Sequence, residues 1–79
     1  MLKHDAIHQP IIIGQTYGYT TNQEGYVIVT VGKAVNITSH GVTLERERSD
    51  VFSGERLLRT YDGPRKVNVS SVKLFPIEE

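Results

Sequence analysis

The chain has no cysteine, no tryptophan and no surplus of charge of either sign. Its 79 residues include nine Lys or Arg and nine Asp or Glu. Without cysteine the protein has no disulfide framework, no thiolate zinc site and no cysteine nucleophile. A small domain that lacks all three is typical of the cytosol. A net charge of zero provides no global field that would attract nucleic acid.

Long apolar runs are also missing, and this limits the ways in which the protein could associate with a membrane. The longest run is far too short to cross a bilayer, so we expect no membrane contact. The segment "MLKHDAIHQPIII" has neither the long apolar core nor the cleavage site of a secretory signal, so we expect a cytoplasmic protein. The length predicts one domain. We assign residues 1–10 to an N-terminal extension and residues 11–79 to that domain.

The dominant pattern in the sequence is an alternation in which apolar residues recur at every second position. In "YVIVTVGKAVNIT" the alternation predicts one long strand with an apolar face. That face carries Val27, Val29, Val31, Val35 and Ile37. The glycine of "VGK" inside this strand predicts a bulge or a sharp bend.

The remaining segments predict short strands joined by turns. "PIIIGQTYGYTT" predicts the opening strand, "TSHG" a hairpin turn and "VTLERER" the strand that follows it. "SDVFSGE" is interpreted as a loop, "RLLRTY" as a strand and "DGPR" as a turn. "SSV" predicts a 3₁₀ turn before a last short strand, and "KHDAIH" one helical turn at the front. The fold class is therefore all-β, a small antiparallel barrel of five or six strands.

The order of these segments resembles an SH3-like barrel. The matching parts are "IGQTYGY", the bent strand and hairpin "VIVTVGKAVNITSHGVTLE", and "RKVNVSSVKLFPI" with its 3₁₀ turn. The likeness covers residues 11–77 and implies a fold more than a function.

The chain is also similar to short SH3-like accessory proteins of tailed phages that infect actinobacteria. The likeness lies in the G-x-x-Y opening that ends at Tyr17, in "HGVTLE" and in the "LFP" ending. It implies no catalytic residues, and it implies that a partner would be a protein in the host cytoplasm.

No motif for catalysis or metal binding stands out. The sequence has no phosphate-binding glycine loop, no nucleophile elbow and no zinc-protease helix. Glu45 and Glu47 alternate with arginines, a pattern typical of a solvated strand edge. His4 and His8 would share one face of a helical turn, but two histidines alone are a weak metal motif. We expect no enzymatic activity, no cofactor and no metal.

The main alternative is a nucleic-acid-binding barrel. Residues 45–55 have a net charge of −2, whereas residues 56–73 have a net charge of +4. The basic side chains of this second segment would contact phosphates if they converge, and nearby tyrosines would stack bases. They are Arg56, Arg59, Arg65, Lys66 and Lys73.

A protein-binding role is the interpretation we favour. Tyrosine is enriched at interfaces because it combines a rigid apolar ring with a polar tip. The candidate partner-binding residues are Tyr17, Tyr19 and Tyr26, with Arg46 and Arg48 as flanking charges. A second alternative is a structural subunit of a homo-oligomer, because association would stabilise so thin a core.

Overall fold

The computed structural model describes residues 3–77, which form six β-strands and one 3₁₀ turn. The all-β prediction is therefore confirmed, and the 3₁₀ turn predicted at "SSV" is found one residue later, at Ser71–Lys73. No helix in this part of the chain is long and apolar enough to cross a membrane. The elements are β1 Thr16–Gln23, β2 Tyr26–Thr38, β3 Gly41–Ser53, β4 Arg56–Asp62, β5 Lys66–Val69, the 3₁₀ turn Ser71–Lys73 and β6 Phe75–Pro76.

All strand pairs are antiparallel and belong to one sheet. Its order is β4-β3-β2-β1-β6, and β5 pairs with β3. Strand β3 thus pairs with two strands besides β2. Its first part pairs with β5 and its second part with β4. Among residues 3–77 no ladder joins β4 to β6, so the sheet is open and the predicted barrel closure is not seen.

Two predicted segments differ from the structure. The loop predicted at "SDVFSGE" is wrong, because residues 49–53 continue β3 between β2 and β4. Only Gly54 and Glu55 remain as a turn, and the φ of 60° at Gly54 is one that glycine adopts at no steric cost. The helical turn predicted at "KHDAIH" is also wrong, since residues 3–11 form a closed loop.

Buried Asp5 holds this N-terminal loop together. Its side chain is 2% exposed, and its Oδ1 accepts hydrogen bonds from the backbone N–H groups of Ile7 (2.9 Å) and Gln9 (3.0 Å). The loop is fastened to the sheet end by a hydrogen bond from the Ala6 N–H to the Leu74 carbonyl, 2.8 Å. The loop is therefore an ordered cover rather than a loose end.

The core lies against one face of the sheet, here called the inner face. Residues directly paired across antiparallel strands point to the same side, so the pairs Ala34–Leu44 and Ile37–Val42 place those four side chains together. Ile37 packs against the core from the side. The buried apolar cluster consists of Ile11, Tyr17, Ala34, Val42, Leu44, Val69 and Leu74.

The apolar face predicted for β2 is not the face that carries the core. Val27, Val29 and Val31 lie on the opposite, outer face, because they alternate with inner-face residues such as Thr30. A register shift between Ala34 and Asn36 then changes the alternation. As a result Ile37 reaches the core, whereas Val35 is exposed.

The two-residue turn between β1 and β2 offers a stabilising substitution. Glu24 and Gly25 have φ values of 50° and 85°, which is the backbone of a type I′ turn. Asparagine adopts this left-handed conformation more readily than glutamate. We expect Glu24→Asn to raise the free energy of unfolding by about 0.5–1 kcal/mol in urea titrations. Glu24→Gln, which removes the same charge without this backbone preference, should give no such gain.

Candidate functional site

The inner face is covered over only part of its area. The cover consists of the N-terminal loop and Leu74, and it lies over the core. Towards the other end, the buried hydroxyls of Thr30 and Ser49 form a hydrogen bond of 2.9 Å on this face. Beyond that pair the sheet extends as the segments 26–30, 49–53 and β4, which we call the distal half. Every residue of β4 is exposed.

The inner face of the distal half contains a shallow groove. Its volume is about 230 Å³, below the range of about 300–1,000 Å³ usual for small-molecule sites. Tyr26, Leu58 and Tyr61 are between 43% and 45% exposed, so the groove presents large apolar surfaces to solvent. This distal groove is lined by Tyr26, Val51, Leu58, Arg59 and Tyr61.

A β-bulge in β4 determines which side chains reach the distal groove. Phe52 pairs with Leu57 and Val51 pairs with Arg59, so Leu58 is the extra residue on β4. Because Ser53 pairs with Arg56, the bulge brings Arg56 and Arg59 to the same inner face. Without it, these two arginines would lie on opposite faces.

Arg59 and Tyr61 form the polar side of the groove. The Arg59 guanidinium donates a hydrogen bond of 2.9 Å to the Tyr61 hydroxyl, and its carbon lies 5.7 Å from the ring centroid. This hydrogen bond raises the pKa of Arg59, with the charge interaction with Tyr61 as a smaller cause. The guanidinium is therefore positive at any physiological pH.

The charge on the inner face of the distal half is not compensated. Its strand residues include Arg56 and Arg59 but no Asp or Glu. The acidic residues of these strands, Asp50 and Asp62, are on the outer face, where Arg48 pairs with Asp50 at 3.5 Å. That is the one ion pair among residues 3–77. The inner face of the distal half thus combines two arginines that have no carboxylate partner with apolar and aromatic surface.

The three candidate tyrosines do not form one exposed surface. Tyr17 is 1% exposed, and its hydroxyl accepts a hydrogen bond of 3.0 Å from the Ile12 N–H, so it belongs to the core. Tyr19 is half-buried and packs against that core. Tyr26 alone is exposed, and it pairs with Gln23 rather than with either tyrosine.

The two candidate flanking charges are separated by a second bulge. Gly32 pairs with Arg46 and Val31 with Arg48, so Glu47 is inserted between them on β3. Arg46 consequently lies on the inner face and Arg48 on the outer face. The Arg46 Nε is buried and has no hydrogen-bond partner among the described residues. Neither arginine lines the distal groove.

The five candidate phosphate contacts are all exposed but do not share one face. Arg56 and Arg59 are on the inner face of the distal half, whereas Lys66 pairs with Glu45 on the outer face. Arg65 precedes β5, and its carbonyl accepts a hydrogen bond from the Arg46 N–H. Lys73 belongs to the 3₁₀ turn beside Leu74, at the covered end.

Sequence reasoning missed three residues of the groove, Val51, Leu58 and Tyr61. Val51 stands in a segment interpreted as a loop. Leu58 and Tyr61 are three positions apart, so simple alternation would put them on opposite faces of β4. Only the bulge brings both to the inner face. The available signal was "RTY", where an arginine and a tyrosine two positions apart share a strand face.

Comparison with known proteins finds no matching family model, no matching curated protein and no matching solved structure.

Proposed function

We propose that this protein is a non-enzymatic binding module that recognises another protein through its distal groove. The observation that carries the proposal is the uncovered inner face, where two exposed tyrosines and Leu58 surround Arg59. Aromatic residues and arginine are the types that dominate binding energy at protein interfaces. Of the three candidate tyrosines, only Tyr26 belongs to this proposed site. Tyr17 and Tyr19 do not line the groove.

The proposed module is of the SH3-like type. Support comes from the long strand with a register shift at Gly32, and from the 3₁₀ turn between β5 and β6. The return of β6 to pair with β1 agrees with that arrangement. The phage likeness adds that the partner is a protein of the host cytoplasm.

The proposal is tested by capture from host lysate with matched variants. Leu57 and Leu58 are adjacent on β4 and 53% and 45% exposed, but they lie on opposite faces. We expect Leu58→Ser and Tyr61→Ser to reduce the captured partner at least tenfold, quantified by mass spectrometry. Leu57→Ser should capture as much as the unmodified protein.

We expect thermal unfolding followed by circular dichroism to show that all three variants remain folded, since exposed positions contribute little to stability. Loss of capture with Leu57→Ser but not with Leu58→Ser would place the interface on the outer face and contradict the proposal. Equal capture by all variants would contradict it too.

A nucleic-acid role has less support in the geometry. Only Arg56 and Arg59 of the five basic candidates share a face with exposed tyrosines, and two phosphate contacts give weak, salt-sensitive binding. The protein-binding proposal therefore rests on the stronger observation.

A further inference from the structure

The distal groove also indicates the chemistry of its partner, an inference that rests on the proposed function. We propose that the groove binds a short acidic and apolar peptide segment of the partner. One large apolar side chain enters the groove, and two acidic side chains contact Arg56 and Arg59.

The first step of the argument is size. A groove of about 230 Å³ has room for one large apolar side chain and not for a drug-sized molecule, which needs about 300 Å³ or more. Val51 and Leu58 supply aliphatic walls, and Tyr26 and Tyr61 supply aromatic ones. The occupant is therefore a single large apolar residue such as Leu, Ile or Phe.

The second step is charge. Arg56 and Arg59 are both exposed, and the strand residues on the inner face of the distal half include no carboxylate. Arginine binds carboxylates in a bidentate geometry with two parallel N–H···O hydrogen bonds. These charge-assisted hydrogen bonds are stronger than neutral ones. A partner with acidic side chains supplies the charges that this chain's own inner face lacks.

The third step is spacing. Arg56 and Arg59 lie opposite Ser53 and Val51, which are two residues apart on β3. Two residues of a strand span about 7 Å, so the two arginines match acidic residues at positions i and i+2 of an extended peptide. The large apolar residue then takes the next position of the same parity, since side chains two apart share one face.

The fourth step concerns the edge of the sheet. β4 is an edge strand, but the bulge at Leu58 interrupts its ladder, and bulged edges resist pairing with an added strand. Recognition therefore depends on side chains in the groove rather than on a continuous backbone ladder with the partner.

The test uses a displayed library of random twelve-residue linear peptides, panned against the immobilised protein. We expect the enriched peptides to share two acidic residues two positions apart and a large apolar residue. The best peptide, synthesised and titrated by calorimetry, should bind Arg59→Glu at least tenfold more weakly, which corresponds to one charge-assisted contact. Panning against Arg59→Glu should shift the enriched peptides towards Lys and Arg.

Lys73→Glu is the matched control because it makes the same charge change at the covered end of the molecule, and it should leave the affinity unchanged. Enriched peptides without acidic residues, or a failure to enrich any peptide, would overturn this inference. So would a single-stranded oligonucleotide that binds the protein and competes with the peptide. None of these results changes the Leu57 and Leu58 capture comparison, so failure of the inference and failure of the proposed function remain distinguishable.

Discussion

Tyr17→Ala is expected to lower the free energy of unfolding by about 3–5 kcal/mol, the usual cost of truncating a buried aromatic residue. A domain of this length has roughly 4–12 kcal/mol of stability in total, so the variant loses a large part of it. Tyr17 is one of the four largest fully buried side chains and contacts the rest of the core from β1. Urea unfolding measured by circular dichroism gives the change directly.

Two control variants are useful here. One distinguishes the stability contribution of the Tyr17 ring from that of its hydroxyl, and the other compares a core position with a surface position. Tyr17→Phe keeps the ring and removes the acceptor of the Ile12 N–H, which should cost about 1 kcal/mol. Tyr26→Ala makes the same truncation at an exposed position and should change stability by less than about 0.5 kcal/mol. If Tyr17→Ala and Tyr26→Ala shift the urea midpoint equally, Tyr17 does not belong to the core.

Gly32→Ala is expected to destabilise the protein by about 2–3 kcal/mol, as overpacking against a fixed backbone does. A Cβ at this position would lie 2.7 Å from the Glu45 carbonyl oxygen and 3.2 Å from the Arg46 Cα. Both atoms belong to the backbone of β3, so the two central strands must separate to admit a methyl group. The free energy of unfolding from urea titration measures the loss.

Gly18→Ala is the matched control on the neighbouring strand. Its Cβ would meet the Cδ1 of Ile77 at 2.6 Å, but this atom is the far end of a flexible side chain that can move away. The expected cost is below about 1 kcal/mol, partly offset by the lower entropy of the unfolded chain. A loss at Gly18 as large as the loss at Gly32 would show that backbone proximity is not what distinguishes the two sites.

Period-two alternation and turn chemistry predicted most of the strands. The hairpin at "TSHG", the strand "RLLRTY" and the 3₁₀ turn after β5 all follow from local signals that tertiary packing does not override. The loop predicted at residues 49–53 failed because Ser49, Asp50 and Ser53 are weak strand formers. In the structure Ser49 and Asp50 are held between β4, the next strand along the chain, and β2, which is distant in sequence, whereas Ser53 pairs with β4 alone.

The candidate site was less predictable because it depends on bulges. A one-residue shift moves side chains to the opposite face. Gly32 signalled the bulge opposite Glu47 but not which side chains change face, and no local signal marks the extra residue at Leu58. Simple alternation would place Arg46 beside Arg48 and would separate Arg56 from Arg59, whereas the structure does the reverse. Burial of Tyr17 likewise depends on a core cluster that includes Leu74, which comes from a distant part of the chain.

The division of β3 between two neighbours has a consequence for how this protein can change over evolutionary time. The part of β3 paired with β5 contributes Val42 and Leu44 to the core, while the part paired with β4 carries the distal groove. Substitutions in the groove leave the packed cluster intact, because sites without shared contacts act independently on stability. Under the proposed function, recognition can therefore diversify on a constant scaffold, and the distal half is the place to graft a new specificity.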